Sequence, residues 1–530
     1  MPEEALSNES ERILGRDAQR NNILAARVIS ETIKTTLGPK GMDKMLVDRA
    51  GGVTITNDGA TILDEMEIEH PAAKMIVEVA KTQEEEVGDG TTTAVMLAGK
   101  LLENAESLLD KKIHPTLITK GYRWAASKSL EYLESLSYEL DSEEDLRRIT
   151  HTAMTGKGVE YVKETLGEII VDAVKMVANG KVFDKDDIRI QKKKGSDVEK
   201  SSLIEGIVLD NGRANQDMPK IIENAKIALI EESLTVSSPE AEARISVSSP
   251  EQLQQFISQE ERELQAKVSK LKEVGASVVI CQKGIDEVVQ FYLAKEGIYG
   301  IRRIPKSDMN AISKATGARI VSKLNELEPS NLGTAGKVEE KKENDDEMTY
   351  ITRCEKPEIV TIIIRGSTDH VMDEVERAVD DALGDLSSAL QDSRIVVGGG
   401  AIEIELNKKL LEFANTLPGR ERLAVEEFAK ALEFIPVTLA ENAGLDPIDV
   451  LAELKAAHDA GNQKHGLNLF SGKIEDNLSA GIIEPKSVKR QAISSATDVA
   501  IMILRIDDVI ASKTKSSKAK GSSGPISGYD

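Results

Sequence analysis

Two glycine-rich turns, each followed by a helical pattern, lie about three hundred residues apart in this chain of 530 residues. The first occupies residues 88–93 and the second residues 398–400. Between them the character of the chain changes, because short apolar runs at 204–209, 225–230 and 276–280 predict strands that alternate with helices. The sequence therefore permits, without requiring, a discontinuous domain that both chain ends build and that carries an α/β insertion.

The ends of the chain are rich in helical patterns. Apolar spacing predicts helices over residues 17–37, 71–110 and 116–136. A short strand is predicted at 53–56, and the turn Asn-Asp-Gly comes directly after it. The run of charges at 339–347 is typical of a solvated loop or of the tip of a hairpin.

Composition restricts the class of protein and its partners. With 40% hydrophobic and 30% charged residues, the chain is typical of a soluble globular protein, and its length predicts about three or four domains. The net charge of −23 repels nucleic-acid phosphate, and aromatic residues for base stacking are scarce at 3%. We therefore expect no nucleic acid among the partners.

The sequence also restricts the compartment. Apolar runs such as residues 361–364 are too short to span a bilayer, so no membrane contact is expected. Residues 1–5 show neither the basic nor the apolar part of a secretory signal. Two cysteines, Cys281 and Cys354, cannot form a disulfide framework, which favours a reduced, cytoplasmic protein.

Residues 88–93, Gly-Asp-Gly-Thr-Thr-Thr, combine the features of a phosphate site. Glycines let backbone N–H groups approach an anion closely, and the start of the following helix favours negative charge. The carboxylate of Asp89 would repel phosphate unless a cation lay between them, and Mg²⁺ is the cation that carboxylates and phosphates usually share. The motif thus predicts a nucleoside triphosphate site, while a glycine-rich turn with threonine caps is the alternative that remains open.

Two further carboxylates are candidates for the same site. Asp58 lies in a glycine turn at 56–61, and Asp381 follows Asp380 in a helical pattern. ATP hydrolysis needs neutralised phosphates and an oriented water, so three acids could divide the work. From spacing alone, a turn role for Asp58 and a solvated helix face for Asp380 and Asp381 remain open. The sequence contains no P-loop, dinucleotide fingerprint or zinc motif.

Six segments, taken together and in this order, resemble a known family. They are residues 37–45, 56–63, 88–93, 282–286, 315–320 and 397–401. The chain resembles a group II chaperonin subunit of the archaeal thermosome type, from about residue 8 to residue 512.

The resemblance implies an α+β multidomain fold and an assembly. The implied parts are a mostly helical, discontinuous equatorial ATPase domain (1–147 and 398–512), a small α/β intermediate domain (148–214 and 364–397), an α/β apical substrate-binding domain (215–363) with a helical protrusion at about 237–265, and a disordered tail (513–530). Identical or homologous subunits would form stacked rings that enclose unfolded or partly folded polypeptides.

The resemblance also implies a site for ATP and Mg²⁺. Asp58 and Asp381 would position the attacking water, Asp89 would hold Mg²⁺, and Lys157 would sense the γ-phosphate. The other implied positions are Gly38 and Pro39 along the nucleotide, Asn57 and Gly59 beside Asp58, Gly90, Thr91, Thr92 and Thr93 at the phosphates, and Gly399, Gly466, Glu484 and Lys489 around the base and ribose.

Residues 249–274 predict one long helix with Ser249 as its cap and Pro250 in its first turn. Its apolar stripe consists of Leu253, Ile257, Leu264, Val268, Leu271 and Val274. An ordinary helix packed on a sheet is the alternative, and we expect it to hold for the C-terminal turns. The resemblance makes residues 237–265 a built-in lid whose apolar side chains stay partly exposed until neighbouring subunits meet.

Two other classes of function remain open at this level. A metabolic ATP-dependent kinase or ligase would need a small-molecule pocket, for which the α/β middle shows no motif. A scaffold that binds ATP without turnover would not need all of Asp58, Asp89 and Asp381. A chaperone that couples Mg·ATP hydrolysis to lid closure is therefore the predicted function.

Overall fold

The computed structural model describes residues 10–178, 182–195, 197–236, 249–343, 346–354 and 359–512. The predicted tail at 513–530 and the first part of the predicted lid, 237–248, lie outside these residues. Helices dominate both ends of the chain and strands dominate its middle, as the sequence pattern predicts. Within the described ranges, no helix is long and apolar enough to cross a membrane.

The helices fall into an N-terminal group, a central group and a C-terminal group. In chain order they are α1 (Gly15–Lys34), α2 (Gly59–Glu65), α3 (Pro71–Val87), α4 (Thr91–Asp110), α5 (Pro115–Leu136), α6 (Glu143–Met154), α7 (Lys163–Val177), α8 (Pro250–Val274), α9 (Glu287–Lys295), α10 (Lys306–Thr316), α11 (Asp369–Asp392), α12 (Ala401–Thr416), α13 (Glu421–Leu432), α14 (Phe434–Asn442), α15 (Pro447–Asp459) and α16 (Lys486–Leu504).

The strands are mostly short. They are β1 (Ser10–Leu14), β2 (Lys44–Val47), β3 (Val53–Thr56), β4 (Tyr138–Glu139), β5 (Ile188–Lys194), β6 (Ser202–Ile204), β7 (Gly206–Leu209), β8 (Ile221–Ile230), β9 (Val278–Cys281), β10 (Tyr299–Ile301), β11 (Ile320–Val321), β12 (Gly333–Glu343), β13 (Asp346–Thr352), β14 (Val360–Gly366), β15 (Arg394–Val397), β16 (His465–Asn468), β17 (Lys473–Asp476), β18 (Ile483–Pro485) and β19 (Asp508–Ser512).

One apolar core contains side chains from both ends of the chain. Helix α4 lies inside it and packs against α1, α3 and α16. Because neighbours surround α4, its side chains are apolar on most faces, and Ala94 and Leu101 are fully buried. Strand β1 pairs antiparallel with β19, so the first and last described strands lie side by side. Both chain ends thus contribute to a single core.

The middle of the chain forms two larger sheets. A mixed sheet runs in the order β10-β9-β8-β12-β13-β7, with β11 paired to β8. Separate apolar clusters cover its two faces, and α8 packs on the one that includes Val279. A three-stranded sheet, β5-β14-β6, carries α7 and α11. Helix α11 is important for the site because it also packs on α3, α6 and α16.

Glycines divide two of the predicted regions. The helical patterns over 71–110 form two helices, and the predicted glycine-rich turn lies between them, where Gly88 (φ 81°) and Gly90 (φ 79°) adopt left-handed conformations that end α3 and precede α4. The predicted strand at 204–209 is two strands, β6 and β7, since Gly206 has φ 133°, which only glycine adopts readily. The described parts of the charged run, 339–343 and 346–347, form the facing ends of β12 and β13, which agrees with the predicted hairpin tip.

Helix α8 confirms the predicted helix at 249–274. The Ser249 side chain accepts a hydrogen bond from the backbone N–H of Gln252. In the C-terminal turns, Leu264 and Leu271 are buried against the sheet. In the N-terminal turns, Phe256 is 37% and Ile257 49% exposed. One helix therefore has a packed half and a half whose apolar side chains contact solvent.

Candidate functional site

A cleft of about 220 Å³ lies where the starts of α2, α4 and α12 meet the segment after α6 and the β16–β17 hairpin. The predicted site residues that line it are Gly38, Pro39, Asn57, Asp58, Gly59, Asp89, Gly90, Thr91, Thr92, Thr93, Lys157, Gly399, Glu484 and Lys489. Two predicted site residues do not line the cleft themselves but contact residues that do. Asp381 bonds to Lys157, and Gly466 lies against the carbonyl of Gly398.

The turn around Asp89 leaves a helix start open to the cleft. Gly90 is the N-cap of α4 and has no side chain to occupy the first backbone N–H groups. The Gln83 side-chain amide donates to the Asp89 carbonyl at 2.8 Å and to the Val488 carbonyl at 3.2 Å, which fixes the turn against α16. A free helix start next to a carboxylate is an arrangement that can take an anion together with a cation.

Asp58 caps one helix and touches the start of another. Its Oδ2 accepts a hydrogen bond from the Thr61 N–H at 2.7 Å, and its Oδ1 accepts one from the Thr91 hydroxyl at 3.5 Å. The turn role that the sequence left open therefore exists, and it places the same carboxylate in the cleft. The side-chain amide of Asn57 donates to the Gly156 carbonyl and ties this turn to the segment after α6.

Lys157 lies between two carboxylates from distant parts of the chain. Its Nζ is 2.5 Å from Asp381 Oδ2 and 3.9 Å from Asp89 Oδ1. Burial opposes the charge on Lys157, but Asp381 and Asp89 outweigh it, and the pKa of Lys157 is raised. Burial also raises the pKa of Asp381, to about 7, although Lys157 acts in the opposite direction.

The solvated helix face predicted from spacing is thus wrong for Asp381, whose side chain is 18% exposed. It fits Asp380, which is half-exposed and lies 3.4 Å from Lys185. The difference arises because α11 packs on α3 and α6 along the face that carries Asp381.

At the other end of the cleft, Lys489 also lies between two carboxylates. Its Nζ is 2.9 Å from Glu403 Oε1 and 2.7 Å from Glu484 Oε2. Burial opposes the ammonium charge, but Glu403 and Glu484 raise the pKa of Lys489. Burial raises the pKa of Glu484 above its ordinary value, although Lys489 acts in the opposite direction.

The glycine turn beside this pair is shaped by Asn477. The side-chain amide of Asn477 donates to the Gly398 carbonyl at 3.1 Å. A Cβ at Gly399 would lie 2.3 Å from that amide nitrogen, and one at Gly466 would lie 2.4 Å from it. Gly399 also has φ 69°, so both space and backbone conformation require glycine there. Asn477 thereby explains both glycines.

Sequence reasoning missed three residues that shape the cleft. Asp385 lines it and Gln83 holds the turn at Asp89, while Asn477 supports the glycine turn at Gly399. The spacing of four between Asp381 and Asp385 was a usable signal, since it puts both on one face of α11. Gln83 and Asn477 act through backbone carbonyls, and two of these, at Val488 and Gly398, lie far away in sequence, so no local pattern reveals the contacts.

Helix α11 reaches the cleft through a contact between two glycines. A Cβ on Gly384 would lie 2.8 Å from the Gly88 Cα, and the Ser388 hydroxyl donates to the Val87 carbonyl at 3.3 Å. The two backbones therefore approach as closely as side-chain-free residues allow. This approach brings Asp381 and Asp385 to the turn that carries Asp89.

Comparison with known proteins gives the family. The model of the TCP-1/cpn60 chaperonin family matches residues 29–514. A thermosome subunit of Methanocaldococcus jannaschii is 54% identical over 99% of this chain and 98% of its own length. A thermosome subunit of Methanopyrus kandleri is 55% identical over 95% and 93%.

A further relative gives the same result. The thermosome subunit beta of Methanothermobacter thermautotrophicus is 53% identical over 97% of this chain and 96% of its own length. The resemblance inferred from six short segments is confirmed across nearly the whole sequence. The chain belongs to the TCP-1/cpn60 chaperonin family, as a group II subunit of the thermosome type.

Proposed function

We propose that this chaperonin subunit hydrolyses ATP in the cleft and uses the reaction to drive the folding of other polypeptides. The observation that carries the proposal is the meeting of three distant segments around one cleft. These are the open start of α4 after Asp89, the Lys157–Asp381 pair and the glycine turn at Gly399. Each supplies a different requirement of phosphoryl transfer, namely anion binding, charge positioning and close approach to the nucleotide.

The phosphates would bind at the start of α4. Backbone N–H groups from Gly90 onward and the Thr91, Thr92 and Thr93 hydroxyls would donate to phosphate oxygens. Mg²⁺, when bound, neutralises phosphate charge, and Asp89 is the carboxylate that we assign to it. The donor set fits that ion, since the Asp89 side chain is 34% exposed and lies beside an uncapped helix start.

The rest of the nucleotide would lie between the two glycine turns. Gly38, Pro39, Asn57 and Gly59 line one side of the cleft. On the other side Gly399 lines it, Gly466 supports the glycine turn from behind, and Glu484 and Lys489 provide polar groups for the base and ribose. Gly38 permits this shape because a Cβ there would lie 2.4 Å from a Leu439 methyl carbon.

Asp58 and Asp381 would orient the attacking water, and one of the two would accept its proton. Both need to be ionised for that work, and a bound cation favours the ionised form. Lys157 would bind the γ-phosphate and return to Asp381 and Asp89 when that phosphate leaves. Because α11 carries Asp381 and also packs on the β5-β14-β6 sheet, this exchange can move the middle of the chain.

The larger arrangement follows the family. We propose an equatorial domain at 1–147 and 398–512, an intermediate domain at 148–214 and 364–397, and an apical domain at 215–363. Stacked rings of identical or homologous subunits would enclose unfolded polypeptides, with residues 237–265 as the lid. The half-exposed Ile257 supports the lid, because an apolar side chain there can be buried when subunits meet. Two free, buried thiols support a reducing, cytoplasmic setting.

A phosphate-release assay on the purified assembly tests the proposal. We expect hydrolysis that requires Mg²⁺, and we expect the use of Mg·ATP to weaken when Asp89 is replaced by alanine. The same assembly should refold a denatured client enzyme only while ATP is hydrolysed. ATP binding without phosphate release would favour the scaffold, and ATP consumption that requires a small-molecule acceptor would favour a kinase or ligase.

A further inference from the structure

Asp385 is a buried carboxylate that the proposed roles above do not use. It lies one turn after Asp381 on α11, is 3% exposed and lines the cleft. Among the described residues, no group donates a hydrogen bond to its Oδ1. A buried carboxylate oxygen without a partner is costly, so its presence at a ligand site points to a ligand.

The lysines of the cleft do not supply that partner. Lys157 is already held by Asp381 and Asp89, and Lys489 by Glu403 and Glu484. Each ammonium group thus lies between two carboxylates. Within the described residues, no other basic side chain lines the cleft, so further positive charge for Asp385 would come from a ligand.

The charge of the whole cleft leads to the same requirement. Eight charged residues in the described part of the chain line the cleft or bond directly to its lysines. The carboxylates are Asp58, Asp89, Asp381, Asp385, Glu403 and Glu484, and the ammonium groups are Lys157 and Lys489. Six carboxylates against two ammonium groups give the cleft an excess of negative charge when they are ionised, and a triphosphate adds more. A second cation would lessen the repulsion that remains after one divalent ion has bound.

We propose that Asp385, together with phosphate oxygens of the bound nucleotide, holds a second divalent cation, separate from the ion assigned to Asp89. The inference rests on the proposed nucleotide site and specifies its metal content. Carboxylate and phosphate oxygens are the ligands that Mg²⁺ and Mn²⁺ prefer, and paired metal ions recur where a phosphoryl group is transferred. Through Asp385, the position of helix α11 would then depend on both the second metal ion and the phosphates.

The electrostatics of Asp385 agree with this role. Burial first, and then the charge on Asp89, raise the pKa of Asp385 well above its ordinary value, while Lys157 opposes them. The negative charge of ionised Asp385 is thus not fully offset by nearby positive charge. A cation provides that compensation, whereas a proton would provide it without a metal.

Mn²⁺ is the probe that separates these two possibilities. Purified wild-type assembly is loaded with an ATP analogue whose β–γ bridge is NH, at constant potassium concentration. Bound Mn²⁺ is counted by electron paramagnetic resonance with and without the analogue, and bound analogue is counted separately. We expect the analogue to add two Mn²⁺ per nucleotide in the wild type and one in Asp385→Asn. Asparagine keeps the shape of a protonated carboxyl but cannot replace its charge.

Asp380→Asn is the matched control, since Asp380 lies on the same helix and faces Lys185 instead of the cleft. It should retain two Mn²⁺ per nucleotide. A wild-type count of one would overturn the second site, and a count of two in Asp385→Asn would overturn the role of Asp385. If the variant fails to assemble, the wild-type count still decides whether a second site exists. Failure to bind the analogue at all would instead contradict the proposed nucleotide site, together with this inference.

Discussion

The cleft and the first half of helix α8 depart from ordinary protein surfaces in opposite directions. In the cleft, Lys157 and Lys489 are largely buried and charged. On α8, Phe256 and Ile257 are apolar and substantially exposed. Buried charge and exposed apolar surface are both locally unfavourable.

The two regions differ in whether the chain itself offsets the unfavourable groups. The buried lysines are compensated within the chain, because each lies between two carboxylates. The described residues place no comparable cover over Ile257, although the same helix buries Leu264 and Leu271 farther along. We therefore expect changes in the cleft to alter chemistry in every subunit, and changes in the exposed first half of α8 to alter only what subunits do together.

The largest expected effect is the loss of hydrolysis in Asp381→Ala. The variant removes one proposed water-orienting carboxylate and frees Lys157 from its nearer partner. Preorganised groups of this kind typically contribute about 100- to 1000-fold to a rate. Phosphate release measures the effect, and equilibrium binding of labelled ATP should show nucleotide retained. Asp380→Ala is the control, and near-normal turnover by Asp381→Ala would show that the cleft chemistry lies elsewhere.

The next largest effect contrasts the two halves of α8. Leu271→Ala should destabilise the packed half by about 3 kcal/mol, because Leu271 is fully buried against the sheet. Ile257→Ser should change stability by less than about 0.5 kcal/mol, since its side chain already contacts solvent. Hydrogen exchange at β9 measures both.

Ile257→Ser should nevertheless weaken the protection of an enclosed client from protease when ATP is turned over. Leu271→Ala at a temperature where it remains folded is the matched comparison. If Ile257→Ser rings protected the client as well as wild-type rings, the exposed half of α8 would be an ordinary surface.

A smaller effect is expected from Gly384→Ala. The added methyl group would lie 2.8 Å from the Gly88 Cα, so α11 must move away from the turn that carries Asp89. We expect hydrolysis to fall about tenfold through misplacement of Asp381, with nucleotide affinity nearly unchanged. Alanine favours helix more than glycine does, so a weakened helix cannot explain the loss. Gly284→Ala, where no atom lies within 4 Å of the new Cβ, is the control.

The smallest effect tests a buried pair outside the cleft. His458 Nδ1 lies 2.8 Å from Glu405 Oε2, and this hydrogen bond holds the pKa of Glu405 below its ordinary 4.5. Its stabilisation is present above pH 4.5 and is lost as pH falls through the lowered pKa. Glu405→Gln should therefore cost about 1 kcal/mol at pH 7 and very little in strong acid. Denaturant unfolding at several pH values measures the difference, and a constant difference would exclude the ionic contribution.

Much of the fold could be predicted from local patterns. The glycine-rich turn at 88–93 already separates the helical patterns over 71–110, and the left-handed Gly88 and Gly90 divide α3 from α4 at that point. Strand β3 has the predicted bounds because its alternation and following turn are local signals. Pairing between β1 and β19 has no local signal, since its partners lie at opposite ends of the chain.

The candidate site divides in the same way. The turns at Asp58 and Asp89 carry chemistry that is visible in the sequence. Lys157 looks like any exposed lysine until α11 is packed beside it, and its place could be anticipated only through the family resemblance. Asp385 shares a helix face with Asp381, but which face is buried depends on α3 and α6.

Because both chain ends build one core, that core can be completed only late in synthesis. Helix α4 leaves the ribosome early, whereas α16, which covers it, is made near the end. The core side chains divide into residues up to 133 and residues from 396 onward. At about 5–20 residues per second, translating the roughly 260 residues between them takes roughly 13–50 s. During that interval the apolar side chains of the first part of the core lack their partners from the last part of the chain. The nascent subunit is therefore itself an unfolded polypeptide with exposed apolar surface, which is the kind of chain that a chaperonin encloses.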